Sequence, residues 1–334
     1  MNIDGYAVQE AKGTLEKFSY KSRTLRPWDV EVKISHCGIC HSDAHLVDND
    51  WGISQYPLVP GHEIVGNVSA MGSSVKHLKA GQRVGIGWQC GSCMTCECCL
   101  SGRENLCAES SGTCLGNHGG FAKAIVVDSR FAFALPEALA SESAAPLLCG
   151  GITVFAPLLH FNIRPEMKVG VIGIGGLGHL ALQFYRAWGC EVTAFSSNPD
   201  KEKEAKELGA HHMVPSRDPE ALKARAGTLD FIANTVPGDI DWESYLNILR
   251  PDGRLCILGV PSSPVTIPAF PLIVGRKSLS GSPIGGRADI ETMLAFAARH
   301  GIQAKTETFA MDQVNPALDK VRQGQARYRV VLTN

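Results

Sequence analysis

The sequence predicts an α/β protein of two domains, one a doubly wound parallel sheet and the other β-rich and irregular. The first observation behind this is length: 334 residues exceed one ordinary core and fit about two domains. The second is the texture before Cys149, where short β-branched runs at 30–37 and 64–84 are broken by glycine turns such as Met71-Gly72 and Ala80-Gly81. The third is the alternation that follows. Residues 168–174 read as a buried strand, 178–188 carry helical apolar spacing, and 191–195 form another strand, together a βαβ unit. Strands at 231–234 and 254–258, separated by helical sequence that includes 241–249, extend it into a parallel sheet. The alternation stops near Arg287, after which 289–300 reads as a helix and 328–332 as a strand returning to the first domain. The expected division is 1–148 with 288–334 for the β-rich domain, and 149–287 for the other.

Composition narrows the partners. Hydrophobic residues make up 44% and charged residues 19%, which leaves no room for a long disordered tail. A net charge of −1, with no Lys/Arg run longer than two, lacks the footprint of a nucleic-acid binder. No apolar stretch reaches the roughly 20 residues that span a bilayer. A small molecule is the expected partner, not nucleic acid or a membrane. Residues 1–10 have no basic start followed by an apolar run, so they do not read as a signal peptide, and a cytoplasmic location is expected. Of 12 cysteines, six lie between Cys90 and Cys107, a crowding that metal binding explains better than disulfides.

The string from Val169 to His179 sets G-x-G-x-x-G, with Gly173, Gly175, Gly176, Leu177 and Gly178, directly between a strand and a helix. Glycines there let the backbone approach a pyrophosphate, and the helix N-terminus offers N–H groups to it. A dinucleotide cofactor is expected. Its identity depends on the end of the next strand, where an Asp or Glu would hold the ribose 2′-hydroxyl of NAD. Here that end reads Phe195-Ser196-Ser197-Asn198, with Lys201 close behind and Lys203 a weaker candidate. These donors favour the 2′-phosphate of NADP(H). The competing reading has Ser196 and Ser197 cap the following helix with the lysines on its solvated face, and Asp200 adds weight to it.

Two groups of residues have metal-ligand spacing. Cys93-x-x-Cys96-x-x-Cys99, then Cys107, offers four thiols to a closed tetrahedral zinc. An iron–sulfur cluster is the competing occupant, and Cys90 and Cys98 leave the register ambiguous. The second group is scattered: Cys40-His41-Ser42-Asp43, Gly61-His62-Glu63 and Cys149. Dispersed ligands are typical of an open catalytic site with an exchangeable position. Taken singly, His62 reads more readily as a core histidine than as a ligand and Cys149 as a packed thiol, while Cys37, Cys114, Cys190 and Cys256 read as small buried hydrophobes.

These motifs, together with the runs from Cys37 to Asp43, Pro60 to Glu63 and Pro146 to Thr153, and Arg327-Tyr328-Arg329, resemble the medium-chain zinc-containing alcohol dehydrogenases nearly end to end. Within that family the chain resembles the cinnamyl alcohol dehydrogenases and their bacterial aldehyde-reductase relatives. The resemblance implies a GroES-like catalytic domain interrupted by a Rossmann-like NADP-binding domain, and a homodimer. It implies two zinc ions per chain, one structural and one catalytic, the catalytic one on Cys40, His62 and Cys149 with Glu63 an occasional alternate ligand. Asp43 would orient His62. Ser42 would link the substrate oxygen to the cofactor ribose, and His45, beside Asp50, would pass the proton to solvent. Thr153, Val260, Ser282 and Ile284 match positions facing the nicotinamide. Trp51 and Trp88 fall where walls of the substrate pocket are expected, although Trp88 reads equally as core. The loop 110–119 departs from the plant enzymes, with Gly112 near a large aromatic of theirs. The implied reaction transfers a hydride between NADP(H) and an aromatic or aliphatic alcohol or aldehyde, cinnamyl types included. The alternatives are an NAD-dependent alcohol or polyol dehydrogenase of the same fold, and a non-catalytic NADPH-binding or redox-sensing protein.

Overall fold

A computed structural model describes residues 2–261 and 263–334. The chain forms two compact units, Met1–Ile152 with Ile284–Asn334, and Thr153–Pro283.

The first unit is built on the strand Asp29–Ile39. Its apolar residues Val30, Val32 and Ile34 alternate into the core as a half-buried strand requires. A register shift between Ile34 and His36 then breaks the alternation, and Cys37, Gly38 and Ile39 are buried in succession. One edge pairs antiparallel with Glu63–Met71; the other pairs with Ala124–Asp128 and, further along, with Arg329–Thr333. The strand foreseen at 328–332 therefore does return to this unit. Both chain segments that carry Cys40 and His62 thus leave the same pair of strands.

The second unit is a six-stranded parallel sheet in the order His212–Pro215, Glu191–Ser196, Lys168–Ile172, Leu229–Asn234, Leu249–Ile257, Ser278–Gly281. Lys168–Ile172 has its chain successor on one side and a later strand on the other. That is the point where the winding reverses and where such sheets bind ligands.

The units divide slightly later than 148/149 and slightly earlier than 287/288. The reason is the helix Gly150–His160, whose first turn belongs to the first unit. The Cβ position of Gly151 lies against Leu147 and Met293, and that of Gly285 lies 2.8 Å from Ile152. Cys149 accordingly sits in the first unit, not at the start of the nucleotide-binding one. Among the described residues no single helix is long and apolar enough to cross a membrane.

Candidate active site

Cys40 follows the buried end of Asp29–Ile39 and is the N-cap of the helix His41–Asp48. Asp43, in the first turn, accepts the Cys40 backbone N–H at 2.8 Å, a carboxylate at the positive end of a helix. Its other oxygen accepts the Gly61 N–H at 2.9 Å and faces His62 Nδ1 at 3.0 Å. Asp43 therefore caps the helix and orients His62 at once. A carboxylate only accepts, so the neutral imidazole carries its proton on Nδ1, and its Nε2 lone pair is the one a metal would take. Burial opposes a charge on His62, but Asp43 leads the groups that carry its proton affinity well above the usual range.

His62 Nε2 is fully buried and has no hydrogen-bond partner. An orphaned acceptor of this kind calls for a ligand. Around it, one donor atom from each of Cys40, His62, Glu63 and Cys149 lies within 4.8 Å of the others, and all four residues are buried. The Cys149 S–H donates to Cys40 Sγ at 3.9 Å. That bond holds the Cys40 thiol well below its ordinary range and the Cys149 thiol well above it. Two sulfurs and an unclaimed imidazole nitrogen suit a zinc ion.

Glu63 is more constrained than its motif indicates. One oxygen is bound by the Arg329 guanidinium and the other has no partner. Burial pushes its carboxyl up to about 7, against the pull of Arg329. Gly38 is required beside it, since a Cβ there would lie 2.0 Å from Glu63 Oε2.

Ser42 Oγ lies 3.6 Å from Cys40 Sγ, and His45 Nδ1 lies 2.7 Å from Asp50 Oδ2 with both side chains partly exposed. Trp88 meets the His62 ring edge-on at 4.8 Å, and Trp51 bridges Trp88 and His45 at 6.5 and 5.1 Å. Both indoles also pack against the core. Cys37, Cys114, Cys190 and Cys256 are all buried, as expected. Cys114, however, also lies beside His62 and Asp43, within the same 4.8 Å spacing.

The four-thiol loop settles its own register. Cys93, Cys96, Cys99 and Cys107 converge, with sulfur separations of 3.6–3.9 Å among the bonded pairs, whereas Cys90 Sγ faces Ser111 and Asn117. Backbone N–H groups of Cys96 and Glu109 point at Cys93 and Cys107 sulfurs. The Thr95 N–H is the first cause holding Cys93 down to about 6, in favour of a thiolate. Leu100 and Leu106 of this lobe are exposed, so packing alone does not order it.

In the second unit the glycine loop follows Lys168–Ile172, and Leu177 is the N-cap of Gly178–Trp188. Gly173 has φ +87°, and a Cβ on Gly178 would lie 1.9 Å from the Gly173 carbonyl. A Cβ on Gly175 would meet nothing within 4 Å, which leaves room for a ligand against the backbone. Ser196 is buried and bonds the Asn198 backbone, Ser197 is exposed, and Asn198 caps the turn that follows by accepting from Asp200. Lys201 Nζ reaches back to the Ile174 carbonyl at 2.8 Å, placing its ammonium on the glycine loop. Thr153 is buried, Val260 is exposed, and Ser282 and Ile284 are half-buried.

Residues 26–137 match the model of the alcohol dehydrogenase GroES-like domain, and residues 176–299 that of the zinc-binding dehydrogenases. The chain is 48% identical over 332 residues to the aldehyde reductase AdhA of Synechocystis, covering 99% of each. Among solved structures it is similar to a cinnamyl alcohol dehydrogenase of Sorghum bicolor, with a TM-score of 0.96, 40% identity and coverage of 100% and 98%. It is also similar to the cinnamyl alcohol dehydrogenase of Helicobacter pylori complexed with NADP(H), with a TM-score of 0.91, 32% identity and coverage of 100% and 98%. The chain belongs to the zinc-containing medium-chain alcohol dehydrogenases, in the branch of the cinnamyl alcohol dehydrogenases and bacterial aldehyde reductases. Its first unit is the GroES-like domain and its second the Rossmann-like one.

Proposed function

We propose that this oxidoreductase reduces aldehydes, aromatic or aliphatic, with NADPH, at a zinc ion held by Cys40, His62 and Cys149. The observation that carries this is the buried, unclaimed His62 Nε2 among thiols brought from distant segments. When bound, the zinc withdraws electron density from the substrate carbonyl and the nicotinamide supplies the hydride. The protein's own contribution is positional. Asp43 fixes the tautomer of His62, and the Trp88 edge fixes its plane. Glu63 is the reserve ligand, one oxygen taken by Arg329 and the other without a partner. Ser42 relays a proton through Oγ to the substrate oxygen, and the proton is replaced from solvent by way of His45. His45, held at Nδ1 by Asp50, exchanges protons with solvent. Trp51 and Trp88 line the site with aromatic surface, which suits a hydrophobic aldehyde. Cys93, Cys96, Cys99 and Cys107 hold the second, structural zinc.

NADPH rests on Ser196, Ser197, Asn198 and Lys201 at the end of Glu191–Ser196. Thr153, Val260, Ser282 and Ile284 face its nicotinamide. Comparing catalytic efficiency with NADPH and NADH tests the assignment, and NADPH is expected to be preferred. Lys201→Ala removes a charge-assisted bond worth about 1.5–3 kcal/mol, so efficiency with NADPH should fall at least about tenfold while NADH is unaffected. A wild-type preference for NADH rejects the reading and favours the NAD-dependent alternative.

The protein acts in the cytoplasm as a homodimer. Ser278–Gly281 is an edge strand of the parallel sheet, and Phe270, Ile273 and Val274 of the nearby helix Ala269–Gly275 are exposed by 73%, 73% and 67%. A second copy laid along this edge would cover them. Light scattering of the purified protein should give twice the chain mass, and Ile273→Lys should give the single mass.

A further inference from the structure

The lobe that carries the four-thiol cluster is tied at three points to the place where the chain re-enters the first unit. Asn105 Nδ2 donates to the Ile284 carbonyl at 2.5 Å. The Glu104 carboxylate accepts the Arg287 backbone N–H at 3.2 Å and lies 3.5 Å from its guanidinium. Gly102 lies so close to Gly286 that a Cβ on Gly286 would come within 2.1 Å of the Gly102 carbonyl.

These ties are built features. Glu104 is only 4% exposed, although it carries a carboxylate on an outlying lobe, and such a group is kept buried only when its oxygens are used. Gln89 Nε2 holds the Glu104 carbonyl at 2.8 Å, so the residue is fixed from both sides. Arg287 is anchored a second time, its Nε donating to the Arg130 carbonyl at 2.6 Å. The lobe itself exposes Leu100 and Leu106, so packing alone does not account for its order.

We propose that Glu104 and Asn105 are positioning residues for the cofactor, holding the backbone at 284–287 so that Ile284 is presented to the nicotinamide. This rests on the reading of Ile284 as a nicotinamide-facing residue. A purely structural role for the lobe would move stability but not the affinity for one end of the cofactor.

The test compares the wild-type zinc-loaded enzyme with Asn105→Ala and with Asn105→Asp, which sets a carboxylate against the Ile284 carbonyl. NADPH and 2′,5′-ADP affinities, zinc content and amide exchange at 282–287 are measured. For Asn105→Ala, NADPH binding should weaken about three- to tenfold, the worth of one hydrogen bond, and for Asn105→Asp by more. Binding of 2′,5′-ADP, which lacks the nicotinamide end, and zinc content should stay at wild-type levels, and exchange at 284–287 should quicken. If NADPH slows exchange at 282–284 in the wild type but both variants keep wild-type NADPH affinity, the positioning role is overturned and the reading of Ile284 stands. If NADPH leaves that exchange unchanged in the wild type, the reading of Ile284 fails and the proposal falls with it. Equal weakening of NADPH and 2′,5′-ADP would also overturn it.

Discussion

Replacing Cys40 by Ala should lower aldehyde turnover on the order of a thousandfold or more, while NADPH still binds. Lewis-acid assistance is worth several kcal/mol, and about 4 kcal/mol corresponds to three decades in rate. The substitution takes away one of two sulfurs at a site where His62 Nε2 has no other partner. Zinc content should fall by one equivalent per chain, because the four-thiol lobe shares no residue with this cluster. Asp43→Asn provides the graded comparison. It keeps the shape of the cap but removes the charge that Nδ1 faces, and zinc affinity should fall about 10- to 100-fold, as for other partners behind a metal ligand. A chelator competition reads the second effect and single-turnover kinetics the first. Unchanged turnover in Cys40→Ala would support the non-catalytic alternative.

Arg329→Met should be the most destabilising single change near the site. Arg329 and Glu63 are both buried and joined directly, across 266 positions of sequence. Removing one partner leaves a buried charge uncompensated, which typically costs about 3–5 kcal/mol. The urea midpoint should drop clearly. Adding Glu63→Gln in the same chain should restore much of the loss, since the orphaned charge is then gone. A midpoint unchanged in Arg329→Met would show that the pair contributes nothing to the fold.

What the sequence made legible is whatever is local in the chain. The four-thiol spacing, the glycine loop between strand and helix, and the helix after Gly178 each express their geometry within a few residues. The second metal group was less plain, because Cys40, His62 and Cys149 are scattered, and spacing alone left His62 and Cys149 as core residues; the family resemblance assembled them. Contacts made only by the fold left no trace. Nothing around Arg329 marks it as the partner of Glu63, nothing marks Cys114 as a neighbour of His62, and the hold of Asn105 on Ile284 spans 179 positions. The helix Gly150–His160 is continuous in sequence, and only the packing of its first turn assigns Cys149 to the earlier unit.

The strand Arg329–Thr333 lies inside the sheet of the first unit, between Thr306–Ala310 and the central strand Asp29–Ile39. It is also translated after every residue of the second unit. On the ribosome the Rossmann-like unit therefore has all of its strands while the GroES-like unit still lacks an internal one, together with the arginine that bonds Glu63. The order of synthesis makes the Rossmann-like unit the first part able to mature and the GroES-like unit the last.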